Sequence, residues 1–127
     1  MQILRLLCSS FDCIKKNISL RIYGDGNQTR DFVAIEDVVD AIQKSIAKLE
    51  GNQGTIFNIG SGMSTTIKKV VELLIKFSGK SLSREYLKFK EGEIKHSYAD
   101  ITLAKKYLNF YPRVEFSEGI KHLFVKN

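Results

Sequence analysis

Tryptophan is absent from this chain of 127 residues, and proline occurs once, cysteine twice, methionine twice and histidine twice. Each scarcity removes a class of function. Cys8 and Cys13 fall on a predicted helix and project roughly 140° apart at about 100° per residue, so there they neither pair nor share a metal. His96 and His122 have no companion at ligand spacing. Two thiols left free fit a reducing, cytoplasmic setting. Long apolar runs are lacking too: Val70-Val71 and Leu73-Leu74-Ile75 are soon broken by charges, far short of the roughly 20 residues that span a bilayer. No membrane partner is expected, and the N-terminus lacks the small-residue cleavage site of a secretory signal.

What is present is an ordinary core-forming composition, 43% hydrophobic, well outside the disordered range. The length allows one domain, residues 1–127. The net charge of +6 is uneven. Residues 1–64 hold seven Lys/Arg and seven Asp/Glu, whereas residues 65–127 hold thirteen against seven. Such an excess either attracts an anionic ligand or solvates helix faces. The doublets Lys15-Lys16, Lys68-Lys69 and Lys105-Lys106 are scattered and not interleaved with aromatics, so nucleic acid is not the expected partner.

Periodicity predicts an α+β fold, a small α/β unit of a β-hairpin, further short strands and about four helices. Ile3, Leu6, Leu7, Phe11 and Ile14 form one helical stripe. Leu20-Arg21-Ile22-Tyr23 alternates as a strand, the turn residues Gly24-Asp25-Gly26-Asn27 follow, and Phe32–Ile35 reads as the returning strand of a hairpin. Asp37 is placed to cap a helix carrying Val38, Val39, Ala41, Ile42 and Ile46. Thr55–Ile59 reads as a strand, and Ser64 or Thr65 as the cap of a helix ended by Gly79. Residues 84–98 suit an extended crossing with one short strand. Asp100 opens a short helix closed by Asn109, and Ser117 caps the last one.

Four apparent motifs fail on spacing. Gly79-Lys80-Ser81 lacks the upstream glycine of a P-loop, where Leu74 stands. Gly24/Gly26 and Gly60/Gly62 each begin a G-x-G-x-x-G that ends in threonine, at Thr29 and Thr65. Ser61 is flanked at two residues by Ile59 and Met63, not by the glycines of a nucleophile elbow. Tyr86 and Lys90 have the Y-x-x-x-K spacing, but five tyrosines and many lysines make one such pair an ordinary coincidence.

Arg30 carries the strongest chemical expectation. Its guanidinium is a planar fork that matches two phosphate oxygens, although the adjacent Asp31 offers a structural ion pair instead. Gly60-Ser61-Gly62 admits two readings, an anion-binding nest of backbone amides or a plain strand-to-helix turn.

The run Gly24-Asp25-Gly26-Asn27-Gln28-Thr29-Arg30-Asp31-Phe32-Val33 resembles the GDGxQTRDF signature of the NAD-dependent nucleotide-sugar epimerases and dehydratases, extended short-chain dehydrogenases that include UDP-glucose 4-epimerase. The likeness continues in order. Phe57-Asn58-Ile59-Gly60-Ser61-Gly62 is similar to YNIGxG, and Glu91-Gly92-Glu93 with Ala99-Asp100-Ile101 to RxGD…ADxxKA. Tyr111-Pro112 and Glu118-Gly119 match the closing stretch.

The resemblance implies that Arg30 contacts the diphosphate of a nucleotide sugar, UDP-linked above all. It places Lys90 where a second phosphate-binding arginine is usual, and Glu93 where an acid meets the ribose hydroxyls. It sets Arg21, Tyr23 and Phe32 beside the nucleobase. The family's cofactor-binding and catalytic half normally precedes the signature, which here begins at residue 24. The chain thus reads as the truncated substrate-binding end of an isomerase or lyase, not catalytic by itself. It is expected to bind no cofactor alone, NAD being implied for the complete enzyme, and to partner a separate Rossmann-domain chain or a second copy. The alternative is a non-enzymatic module, derived from that family, that binds a nucleotide diphosphate or a protein.

Overall fold

The computed structural model describes residues 2–48, 54–89 and 91–125, with side chains from Ser9 onward. In chain order the elements are α1 (Gln2–Lys16), β1 (Leu20–Tyr23), β2 (Thr29–Arg30), α2 (Ile35–Ala47), β3 (Thr65–Thr66), α3 (Ile67–Ser78), β4 (Arg84–Leu87), a π-helical turn (Ala104–Leu108) and α4 (Phe116–Val125). The architecture is the expected small mixed α/β unit, with different strand partners.

No hairpin joins Leu20–Tyr23 to Phe32–Ile35. Instead β1 lies parallel to β4, in register from Leu20 opposite Arg84 to Tyr23 opposite Leu87. The reason is in the turn. Gly24 at φ +70 donates its amide to the Leu87 carbonyl at 2.8 Å, so the chain leaves along β4 instead of doubling back. β2 then pairs antiparallel with β3, Thr29 opposite Thr66, and Thr29 also bridges His96 in parallel. The expected returning strand has become the entry to α2, with Ala34 at its N-cap. Thr55–Ile59, read above as a strand, joins no ladder among the described residues.

Helix ends follow local chemistry. Asn17 closes α1 at φ +55, with Ile18 N bonded to Cys13 O at 3.0 Å and Asn17 N to Ile14 O at 3.2 Å, the two bonds of a Schellman motif. Thr66, one residue beyond the expected Thr65, caps α3 by accepting the Lys69 amide at 3.2 Å. Gly79 ends that helix in the left-handed region, as anticipated. Asp37 does not cap α2: it lies in the first turn, and no side chain caps that helix. α4 starts at Phe116, ahead of Ser117, whose hydroxyl donates to Glu115 instead of capping.

Two apolar clusters hold the unit together. The larger joins β1 to α1, α3 and α4 through Leu20, Ile22, Val70, Leu74 and Ile120, and it includes the free, buried Cys13. The smaller is built on Ala41, Ile101, Ala104, Leu108 and the fully buried Phe110, with Phe57 and Ile59 packed against it. Burying a side chain such as Phe110 contributes about 2–3 kcal/mol. Lys44 of α2 and Lys48 at its C-cap close the π-helical turn: Lys44 donates to the Asn109 carbonyl at 2.9 Å and Lys48 to that of Tyr107 at 3.0 Å. Their stems thereby bind α2 to the second cluster.

Of the apolar residues that α2 carries, only Ala41 is buried. Ile35, Val39, Ile42 and Ile46 are exposed, and Ile56 is 85% exposed. Among the described residues no helix is long and apolar enough to cross a membrane.

Candidate functional site

The GDGNQTRD segment supplies the centre of the site through three constraints. Gly24 is pressed against Phe89, whose Cδ2 stands 2.8 Å from where a Cβ would be. Gly26, at φ +78, approaches Lys68 closely and offers its carbonyl to the Lys68 amide at 2.9 Å. Arg30, in β2, and Gln28, just ahead of it, are both buried. Gln28 donates its Nε2 to the Tyr23 carbonyl at 2.6 Å, joining β2 to the end of β1.

Arg30 is 8% exposed. Its Nη1 donates to the carbonyls of Thr29 at 2.7 Å and Lys95 at 3.4 Å, and its Nη2 faces Glu93 Oε1 at 3.8 Å. The sequence-derived pair Arg30 and Glu93 is thus brought together from opposite ends of the chain. Beside them Thr29 Oγ1 and His96 Nδ1 are 3.1 Å apart.

The remaining candidates are distributed differently. Arg21 is exposed and pairs with Glu85 across the β1–β4 ladder, its Nε 3.3 Å from Oε2. Tyr23 is half-buried and contributes its carbonyl to the Gln28 bond. Phe32 packs on Phe116, ring centroids 5.0 Å apart, and belongs to the larger core. Lys90 lies outside the described residues.

Asp31 does not form the ion pair with Arg30 that adjacency offered. Its carboxylate accepts the Ser61 amide at 2.8 Å, the Ser61 hydroxyl at 2.5 Å, the Gly62 amide at 3.0 Å and the Ala99 amide at 3.1 Å. The Gly60-Ser61-Gly62 turn is therefore an anion nest, and its anion is the protein's own Asp31. The same carboxylate borders an open groove of about 450 Å³ between residues 57–60 and 97–100, lined also by Val33, Phe57, Asn58 and Tyr98. Asp37, fully enclosed, accepts the amides of Arg113 at 2.9 Å and Val114 at 3.2 Å, and so fixes the chain after Pro112 against α2.

Two exposed carboxylates titrate below the ordinary value of 3.8. The Asn27 backbone amide lowers Asp25, helped by the Asn27 side chain. The Thr102 hydroxyl and then its amide lower Asp100, whose carboxylate accepts both and does not cap the π-helical turn, where Leu103 is the N-cap without a side-chain bond.

Glycine-rich phosphate cradles need free amides leading into a helix. Here the Ser61 and Gly62 amides are spent on Asp31, and that of Gly24 on Leu87. The first amides of α3 are spent as well, Ile67 on Gln28 O, Lys68 on Gly26 O and Lys69 on Thr66 Oγ1. Those amides are therefore not free to cradle a phosphate.

Residues 5–123 match the family model described as GDP-mannose 4,6 dehydratase. The chain belongs to the nucleotide-sugar epimerase and dehydratase family. It is 39% identical over 103 residues to the UDP-glucuronate 4-epimerase of Thermodesulfobacterium geofontis, covering 80% of this chain and 31% of that protein. It is 36% identical over 115 residues to a putative UDP-glucose 4-epimerase of Methanocaldococcus jannaschii, covering 88% and 35%. Among solved structures, the UDP-glucose 4-epimerase of Thermotoga maritima with UDP-glucose superposes with a TM-score of 0.81 at 29% identity, covering 92% of this chain and 38% of that one. A UDP-glucuronic acid 4-epimerase variant of Bacillus cereus, in complex with a fluorinated UDP-glucuronic acid and NAD, gives 0.79 at 33% identity, covering 90% and 37%. The chain thus spans about a third of the length of these relatives.

Sequence reasoning missed Gln28 and the true partners of Asp31. The i, i+2 spacing of Gln28 and Arg30 was the available signal for the first. Nothing in the sequence pointed from Asp31 to residues thirty and sixty-eight positions away.

Proposed function

We propose that this chain is the nucleotide-sugar-binding part of an NAD-dependent epimerase or dehydratase, with UDP-linked sugars as its ligands. The observation that carries the reading is the Arg30–Glu93 juxtaposition, a guanidinium for the diphosphate and a carboxylate for the ribose hydroxyls. Tyr23 and Arg21, at the adjoining end of β1, flank the nucleobase, and Lys90 adds charge at the diphosphate. Phe32 supports this site from the core through Phe116.

NAD and the proton-transfer groups belong, in this reading, to the two thirds of the relatives' length that the chain does not match. The amides already spent at both G-x-G turns support that division. So does the exposed face of α2, with the unpaired Thr55–Ile59 stretch beside it, which has the character of a surface covered by another layer. The chain then binds substrate without turning it over until that layer is supplied.

A chimera tests this against the alternative, a non-enzymatic binding module. This chain replaces the matching third of a UDP-glucuronate 4-epimerase, and NAD-dependent turnover of UDP-sugars is assayed. Turnover that Arg30→Gln abolishes supports the enzyme reading. A folded chimera that binds UDP without turnover favours the module.

A further inference from the structure

The residue on which diphosphate binding rests is among the least accessible polar groups of the molecule. Arg30 and Glu93 have side chains only 9% and 13% exposed, and Glu93 Oε1 stands 3.8 Å from Nη2. An anion approaching the guanidinium meets a carboxylate already there. That carboxylate is poorly held, since 3.8 Å exceeds hydrogen-bond length and its other oxygen, Oε2, is shielded with no hydrogen-bond partner among the described residues. Gln28 Oε1, two residues before Arg30, is shielded and without a partner among the described residues as well. Among the described residues this charge is withdrawn from water with one long-range partner and no hydrogen bond, and such a charge is weakly stabilised. The residue before it, Gly92 at φ +81, has nothing within 4 Å of where a Cβ would stand, so the turn has open space beside it.

We propose that Glu93 is a built-in anionic plug on Arg30, which a diphosphate displaces on binding. Resting on the substrate-binding reading above, this gives the site a threshold. A small anion must outcompete a tethered carboxylate for one guanidinium. A nucleoside diphosphate brings two phosphates to Arg30 and hydroxyl donors for the released Glu93, so it exchanges into the site where bare phosphate does not.

Calorimetry on the full chain tests this with inorganic pyrophosphate and UDP, for the wild type, Glu93→Gln, Arg30→Gln and the double variant. Removing a like charge about 4 Å from the incoming anion is expected to tighten pyrophosphate binding about tenfold in Glu93→Gln. UDP gains less, because the neutral amide is a poorer acceptor for its hydroxyls, and the gain vanishes in the Arg30→Gln background. Glu93→Asp, which keeps the charge but draws it back by one methylene, gives an intermediate gain and guards against a folding defect in the first variant. If Glu93→Gln and Glu93→Asp bind pyrophosphate no better than wild type, while UDP binding still depends on Arg30, the plug is wrong and the site survives. If Arg30→Gln leaves UDP binding unchanged, the substrate-binding reading fails and the plug with it.

Discussion

Asp31 stands where a side chain on Gly60 would have to go: its Oδ2 lies 2.6 Å from the position of a Gly60 Cβ, with the Ala99 Cβ at 2.7 Å. Glycine is required here by close approach, not by backbone angle. The carboxylate needs that proximity to reach the Ser61, Gly62 and Ala99 amides together.

Gly60→Ala is accordingly expected to destabilise the chain by about 1–3 kcal/mol through overpacking. Asp31→Asn is expected to cost about 2 kcal/mol or more, because donors sharing the carboxylate lose their acceptor. Urea midpoints check both, and additivity fails if the two changes act on one clamp.

Asp37 presents the same logic at the other end of the unit. Its buried carboxylate takes the Arg113 and Val114 amides, so Asp37→Ala is expected to cost about 2–3 kcal/mol. Hydrogen exchange locates the damage: protection at residues 113 and 114 is lost first, while that of α3 falls only with global stability.

On α2, Ile42→Ser and Ile46→Ser remove exposed methyl groups and change the stability of this chain by less than about 0.5 kcal/mol. Self-association, or association with a cofactor-binding half, is expected to weaken in the same variants, as sedimentation measures.

Arg30→Lys keeps the charge and loses the fork, so UDP affinity is expected to fall about tenfold with the fold intact. A larger loss in Arg30→Gln than in Arg30→Lys separates charge from geometry.

Acid titration follows from Asp25 and Asp100, whose folded values are lowered chiefly by Asn27 and Thr102. A carboxylate lowered on folding contributes stability that is complete above its ordinary pKa, 3.8, and is lost as pH falls through the lowered folded value. Amide signals of Asn27 and Thr102 are therefore expected to move below pH 3.8, and Asp100→Asn to flatten the Thr102 response.

Much of the fold was legible because helix periodicity and end chemistry are local. Gly79 and Asn109 do what their residue types predict. The hairpin was misread because alternation identifies a strand but not its partner. Leu20–Tyr23 takes Arg84–Leu87, more than sixty residues away, and the amide of Gly24 commits the turn to that neighbour. Asp37 looked like a cap because caps are local, whereas its partners at 113 and 114 are set by tertiary packing. At the site, motif order singled out Arg30 and Glu93 as candidates. Their mutual contact and the self-filled nest of Asp31 belong to the folded state alone.

Whether this chain carries a nucleotide-sugar site of its own is tested most directly by a two-dimensional amide NMR spectrum with and without millimolar UDP. The account predicts dispersed peaks, with UDP shifting those of Arg21–Tyr23, Gln28–Arg30 and Glu93, and Arg30→Gln removing the response. A dispersed spectrum indifferent to UDP in the wild type would contradict it.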